Sequence, residues 1–121
     1  MANPRHQLGL RAEAAVAAWL GRDGWRILAR RWKVAEGELD LVAIDPDGTL
    51  VGVEVRGRRR DRSGSALESV DHRHLTRLRG ALVRYALSEP VAHRGLRLDL
   101  VTLDGGESSW QMVRHPAIDA W

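Results

Sequence analysis

The sequence predicts an α/β protein in which two amphipathic helices flank a central mixed sheet, in the order α-β-β-β-α-β. Two stretches repeat apolar residues at helical spacing, strand-length apolar runs lie between them, and one more alternating run follows the second helix. The two middle runs are apolar on both faces, as in strands that are covered by helices above and below. We expect one domain over residues 1–121.

The composition narrows the class of protein. Apolar residues make up 44% and charged residues 29%, the balance of an ordinary globular protein. The chain has no cysteine, which excludes disulfides and thiolate metal sites and favours a cytoplasmic location. No apolar run approaches the length of a membrane span, so we expect no membrane partner.

The first helix is marked by its capping residues. Asn3 and Pro4 suit the N-cap and the first helical position, and apolar residues then recur at helical spacing up to Leu20. A glycine follows directly and ends the run. Residues 25–34 are large and apolar, broken by arginines, and predict the first strand.

A hairpin follows the first strand. Residues 38–45 and 49–56 are strand-length apolar runs, separated by a Pro-Asp-Gly turn. A symmetric turn places Asp40 directly opposite Glu54 on the neighbouring strand.

The second half of the chain predicts another helix and one or two strands. Asp71 suits an N-cap, and leucines recur at helical spacing to about Ser88. Residues 96–103 alternate as a strand, and residues 110–114 suit a short edge strand. An exposed edge strand is also compatible with a homodimer.

The hairpin brings four charged residues to one face. Because side chains alternate along a strand, Glu38 and Arg56 lie one step along from Asp40 and Glu54 on the same face. Two opposed carboxylates on a central strand pair are costly unless a cation compensates them. In one interpretation Arg56 pairs with Glu38 and Glu54 as a structural ion network, which the spacing alone favours. In the other, Asp40 and Glu54 bind Mg²⁺ or Mn²⁺.

Arginine dominates the basic residues. Of 19 basic residues 18 are arginine, and the formal net charge is +3. Five of them fall within seven residues: Arg56, Arg58, Arg59, Arg60 and Arg62. Such a run is typical of a surface that binds nucleic-acid phosphates, and it is equally typical of a solvated loop. Arg73, Arg77 and Arg84 lie near one helix face that could track phosphates, although a solvated face is the preferred interpretation.

The histidines and tryptophans are assigned structural roles. His72 and His74 lack the one-turn spacing of a metal-binding pair, so we expect a solvated helix end. Trp19, Trp25 and Trp32 are expected in the core, with Trp32 possible near the acidic face.

The acidic positions carry a resemblance to a known superfamily. Asp40, then Glu54-Val55-Arg56 on the next strand, with Glu13 in the preceding helix, resembles the PD-(D/E)XK nucleases. More narrowly, the chain resembles the YraN-like family of small bacterial proteins. The matching blocks are residues 9–13, 18–20, 24–30, 37–43, 53–56, 64–70, 77–78, 98–101 and 115–121.

The resemblance implies a restriction-endonuclease-like fold and divalent-metal-dependent hydrolysis of phosphodiester bonds, with DNA rather than RNA as partner. Glu13, Asp40 and Glu54 take the acidic positions, with Asp40 and Glu54 as ligands of Mg²⁺ or Mn²⁺. Arg56 stands where lysine is usual; it cannot act as a base but can stabilise charge on a phosphoryl oxygen. The phosphate-binding set would be Arg58, Arg59, Arg60, Arg62, Arg73 and Arg77.

A second departure lies at the start of the second helix. The family often has Thr-Pro-x-Lys there, whereas this chain has Asp71-His72-Arg73-His74. Both departures leave an alternative open. On the same fold, a non-catalytic module could bind nucleic acid or a protein, with Arg56 neutralising the acidic cluster.

Overall fold

The computed structural model describes residues 3–58 and 70–119. The elements are α1 (Pro4–Arg22), β1 (Arg26–Val34), β2 (Gly37–Ile44), β3 (Leu50–Arg58), α2 (His72–Ser88), β4 (Leu96–Asp104) and β5 (Gln111–His115), with a 3₁₀ turn at Glu107–Ser109. This order confirms the predicted α-β-β-β-α-β core, with the short edge strand added at its end.

The strands form one mixed sheet. Their spatial order is β1-β2-β3-β4-β5, so β3 is central. The pairs β1–β2, β2–β3 and β4–β5 are antiparallel. In contrast, β3 and β4 are parallel, and α2 lies in the connection between them. The arrangement matches a restriction-endonuclease-like core.

Both helices begin where their capping residues predict. The Asn3 side chain accepts a hydrogen bond of 2.9 Å from the Arg5 backbone N–H. The Asp71 side chain accepts one of 2.8 Å from the His74 backbone N–H, which fixes the first turn of α2. Within the described ranges, neither helix carries an apolar stretch long enough to cross a membrane.

Two apolar layers cover the sheet. On one face α1 packs Val16 and Leu20 with Trp25. On the other face α2 packs Leu82 and Tyr85, and the Tyr85 ring meets Trp32 edge-on at 5.1 Å between centroids. The expectation that the tryptophans belong to the core is confirmed for Trp19, Trp25 and Trp32.

A buried ion network joins the hairpin turn to β4 and β5. Asp99 is fully buried and accepts hydrogen bonds from Arg97 at 2.8 and 2.9 Å and from Arg114 at 3.0 Å. Arg97 also donates to Asp45, at the end of the hairpin strand, at 2.9 Å. Both guanidinium groups lie over the Trp25 ring, 5.9 and 5.3 Å from its centroid.

Candidate functional site

The acidic residues that the sequence singled out meet in one cleft. The cleft lies beside the start of β2 and the second half of β3, with a volume of about 480 Å³. Its charged and polar lining comprises Glu13, Glu38, Asp40, Glu54, Arg56, His74 and Arg77. All four residues proposed as catalytic, Glu13, Asp40, Glu54 and Arg56, are therefore close together.

The pairing of β2 with β3 brings Asp40 to Glu54. The ladder has the register expected from the symmetric turn, with Leu41 opposite Val53. One residue further along, the Asp40 carboxylate accepts a hydrogen bond of 2.9 Å from the Val55 backbone N–H. Asp40 also lies close enough to Glu54 for the two side chains to affect its acidity. The two carboxyl groups therefore lie in one site, where the charge of Glu54 disfavours a second negative charge on Asp40.

Burial and neighbouring charge alter the acidity of this cluster. The pKa of Asp40 is raised to about 8, first by burial, then by the adjacent Glu54 side chain and its charge, while the Val55 N–H opposes the shift. The pKa of Glu13 is also raised, mainly by burial and by the Asp40 charge, and Arg31 opposes this. At pH 7 the Asp40 carboxyl therefore holds a proton.

Arg31 belongs to the site, although the sequence did not indicate it. Its guanidinium lies 3.1 Å from the Glu13 carboxylate and 3.8 Å from that of Glu38. Its backbone has φ of 52°, the left-handed region that side chains rarely adopt and that clusters at functional sites. The only signal in the sequence was that two arginines, Arg30 and Arg31, are adjacent in β1, where neighbouring side chains should point to opposite faces.

Two side chains contact Glu54. The Arg56 guanidinium lies 3.2 Å from Glu54 Oε2, and His74 Nε2 contacts the same oxygen. The predicted ion pair of Arg56 with Glu54 is therefore confirmed. The predicted pair of Arg56 with Glu38 is wrong, because Glu38 pairs with Arg31 instead. Glu54 is buried, so these contacts offset the cost of removing its charge from water.

The expectation that His74 belongs to a solvated helix end is wrong. The Asp71 cap sets the first turn of α2 so that His74 faces the cleft, while His72 is exposed as expected. The pKa of His74 is lowered by burial and by the charges of Arg56 and Arg77, so the ring is neutral at pH 7. His74 stands at the sequence position where the family often has lysine, and this departure was the signal for a role at the site.

The proposed phosphate-binding arginines divide by location. Arg77 lines the cleft, and Arg73, one turn earlier on α2, is exposed. Arg84, by contrast, lies 3.5 Å from Glu36. Arg58 is the last residue of β3. Arg59, Arg60 and Arg62 lie outside the described residues.

The Asp40 and Glu54 carboxylates suit a divalent cation that takes only a few of its ligands from the protein. Within residues 3–58 and 70–119, no group of three or more His, Asp or Glu side chains is arranged to hold a metal ion. Asp40 and Glu54 supply two adjacent carboxylates, and a cation in place of the Asp40 proton would relieve their repulsion. Mg²⁺ commonly binds through one or two carboxylates, with water and substrate phosphates completing its shell.

Comparisons with known proteins place relatives in several bacteria. The family model described as Uncharacterised protein family UPF0102 matches residues 12–103, which include Glu13, Asp40 and Glu54. A UPF0102 protein of Deinococcus radiodurans is 43% identical over 102 residues, covering 83% of this chain and 81% of the relative. One of Pseudomonas syringae is 39% identical over 102 residues, covering 84% and 82%. One of Bifidobacterium longum is 37% identical over 99 residues, covering 80% of each.

Proposed function

The chain belongs to the UPF0102 family, as the YraN-like resemblance predicted, and on that premise we propose that it binds nucleic acid and hydrolyses phosphodiester bonds with a divalent cation. One observation supports this most strongly. The paired carboxylates of Asp40 and Glu54 share their cleft with Arg56 and Arg77. Carboxylates suit a hard cation, and guanidinium groups suit phosphate oxygens. DNA is the proposed partner, and the enzyme would be endonuclease-like.

Each residue of the cleft has a defined part in this proposal. Asp40 and Glu54 would hold Mg²⁺ or Mn²⁺, which when bound supplies an activated water and neutralises charge on phosphate. Arg56 keeps its proton and stabilises negative charge on a phosphoryl oxygen. Neutral His74 contacts Glu54 and holds its carboxylate in place. Buried Glu13, fastened by Arg31, adds negative charge beside Asp40.

Calorimetry with Mn²⁺ tests the cation. Because Asp40 holds a proton at pH 7, Mn²⁺ binding should release about one proton, and the measured heat should vary with the ionisation enthalpy of the buffer. Asp40→Asn removes both the ligand charge and the proton, so we expect at least about tenfold weaker binding and no buffer dependence. Asp47→Asn, in the exposed turn, is the control and should behave as wild type. Unchanged binding by Asp40→Asn would place the cation elsewhere.

Arg56→Lys tests the chemistry. The substitution restores the lysine usual in PD-(D/E)XK sites, so metal-dependent cleavage should be retained or increased. Adding Asp40→Asn to that background should abolish cleavage; for scale, loss of one charge-stabilising donor costs about 10²–10³ in rate. The assay uses branched DNA, single-stranded DNA and RNA, each with Mg²⁺ and with Mn²⁺. If Arg56→Lys folds and binds nucleic acid but cleaves none of them, the enzymatic proposal is wrong.

A second function is favoured by the ion pairs of the cleft. Arg31 pairs with Glu13 and Glu38, Arg56 pairs with Glu54, and Asp40 is protonated, so the acids are already neutralised within the chain. This is the arrangement expected of a non-catalytic module that binds nucleic acid or a protein. Such a module would still bind its partner, but titration with Mn²⁺ would give no heat of binding.

A further inference from the structure

A second cavity lies on the α1 side of the sheet. It has a volume of about 420 Å³, within the range of ligand pockets. Its walls come from the N-terminal half of α1, the end of β3 and the turn between β4 and β5. We call it the α1 slot; its lining includes Arg5, Leu8, Gly9, Gly57, Leu103 and Trp110.

Two of the glycines that line the α1 slot have no described neighbour that requires a glycine. Gly9 lies inside α1, where glycine is unfavourable relative to alanine, and Gly57 lies in β3. A Cβ atom built on either would meet no described atom within 4 Å, and neither residue has a positive φ. A strand glycine of this kind often marks the close approach of a ligand. Among the described residues, the absent side chains leave the slot open at these two positions.

The other groups of the slot indicate what that ligand is. Trp110 is only partly buried, packs on the α1-side core with part of its ring open, and faces a slot that the exposed Arg5 also lines. Aromatic rings and guanidinium planes are the groups on which unpaired nucleobases stack, and arginine also attracts the backbone. A salt bridge of 2.7 Å between the exposed Arg11 and Glu107 side chains links α1 to the 3₁₀ turn before Trp110.

The α1 slot and the acidic cleft share two walls. On α1, Glu13 lines the cleft and Ala12 lines the slot; on β3, Arg56 lines the cleft and Gly57 lines the slot. The two sites therefore take part of their linings from adjacent residues of the same helix and the same strand.

We infer that the α1 slot binds one unpaired nucleobase beside the phosphate that occupies the cleft. The inference rests on the proposed function and deepens it, because a base inside a duplex is stacked and cannot enter such a slot. The substrate class is then nucleic acid with single-stranded or extruded nucleotides.

Filling the slot tests the inference. Gly9→Leu adds a side chain whose Cβ atom has open space at the slot, so we expect the variant to fold, as circular dichroism will verify, and to block the base. Affinity for oligothymidine should fall by about 5- to 150-fold, the loss of one stacked base. Gly21→Leu is the matched control, because this α1 glycine also has open space around it and lies outside the slot. Equal affinities of the two variants would overturn the inference.

A second comparison varies the ligand instead of the protein. Wild type is titrated with labelled oligothymidine and with an abasic strand that carries the same number of phosphates. We expect a preference for oligothymidine of the same size, and Gly9→Leu should lose that preference while binding the abasic strand as wild type does. Equal binding of both strands by wild type overturns the slot and leaves the proposed function standing. Binding of neither strand at low salt overturns the proposed function and the slot together.

Discussion

Among single residues, Asp40 controls the charge of the cleft. Its carboxyl lies beside Glu54, which raises its pKa, and accepts a hydrogen bond from the Val55 N–H. With a pKa near 8 it changes from neutral to charged within the range of ordinary assays. Metal binding and stability should therefore both depend on pH through this group.

The stability of the fold should fall as Asp40 loses its proton. An unfolded chain releases this proton near its ordinary pKa of 3.8, whereas the folded protein keeps it to about 8. The protonated Asp40 therefore makes its full contribution to the free energy of unfolding below pH 4, and this contribution is lost as the pH rises to 8. Asp40→Asn does not titrate, and its amide can still accept from Val55 and donate to Glu54. With EDTA present, we expect Asp40→Asn to have a higher Tm than wild type at pH 8.

Thermal unfolding followed by circular dichroism between pH 5 and pH 9 measures this difference. Asp47→Asn, exposed in the turn, should keep the wild-type pH profile. Parallel Tm curves for wild type and Asp40→Asn would contradict the raised pKa of Asp40.

The sequence predicted the carboxylates of the site better than their partners. Asp40 and Glu54 follow from strand alternation and a symmetric turn, which are local rules. Arg31 could not be found in this way, because a left-handed backbone at one strand residue breaks the alternation. His74 was missed because its contact with Glu54 depends on how α2 docks, which spacing along one helix does not reveal.

Among the elements, α2 and β2 approach each other through glycines. A Cβ atom on Gly37 would lie 3.1 Å from the Arg77 carbonyl oxygen, and one on Gly80 would lie 3.2 Å from Glu36 Cβ. Backbone cannot give way as a flexible side chain can. This close approach puts His74 and Arg77 at the cleft.

Gly37→Ala should push α2 away from β2. We expect a loss of about 1–3 kcal/mol in the free energy of unfolding, the usual cost of overpacking, together with weaker nucleic-acid binding. Urea denaturation measures the first effect. Gly106→Ala is the matched control, since its new methyl group meets no described atom and it lines neither the cleft nor the α1 slot. A Gly37→Ala protein as stable as Gly106→Ala would show that α2 is not held at this distance.

The arginine run that follows β3 is expected to set the salt dependence of binding. Each neutralised phosphate contributes about 0.9 to the slope of log K against log salt on duplex DNA. Replacing Arg58, Arg59 and Arg60 together by alanine should flatten this slope by about two to three units. Binding titrations from low to moderate salt give the slope directly. If the slope stays the same, the run is a solvated loop.

Across the whole molecule, Asp99 links parts of the chain that are distant in sequence. It is fully buried between Arg97 and Arg114, and Arg97 extends the network to Asp45. Asp99→Asn keeps the shape but removes the charge that both guanidinium groups face. We expect a loss of about 3 kcal/mol, as when one partner leaves a buried ion pair. Urea denaturation should show this loss and almost none for Asp23→Asn, at the exposed helix end.

The order of elements was predictable because each one carries its own signals. Capping residues, glycines and apolar periods mark most boundaries to within about two residues, the usual precision of such patterns. The extension of β3 to Arg58 was not predicted, because it depends on pairing with Asp104 of a distant strand. The order of the elements predicted a mixed sheet, but it did not predict which strands pair in parallel, because β3 and β4 are joined through α2 and no tight turn fixes their register.

That parallel pairing also sets an order of assembly. When β3 leaves the ribosome, one edge of this central strand has no neighbour until α2 and all of β4 have been synthesised. Non-local strand pairing is slow, because the intervening chain loses entropy before the contacts form. Glu54, on that strand, therefore reaches its final position late, after most of the chain exists. A nascent chain that ends before β4 would carry every residue that lines the cleft, but β3 would still lack the strand that completes the sheet on its second edge.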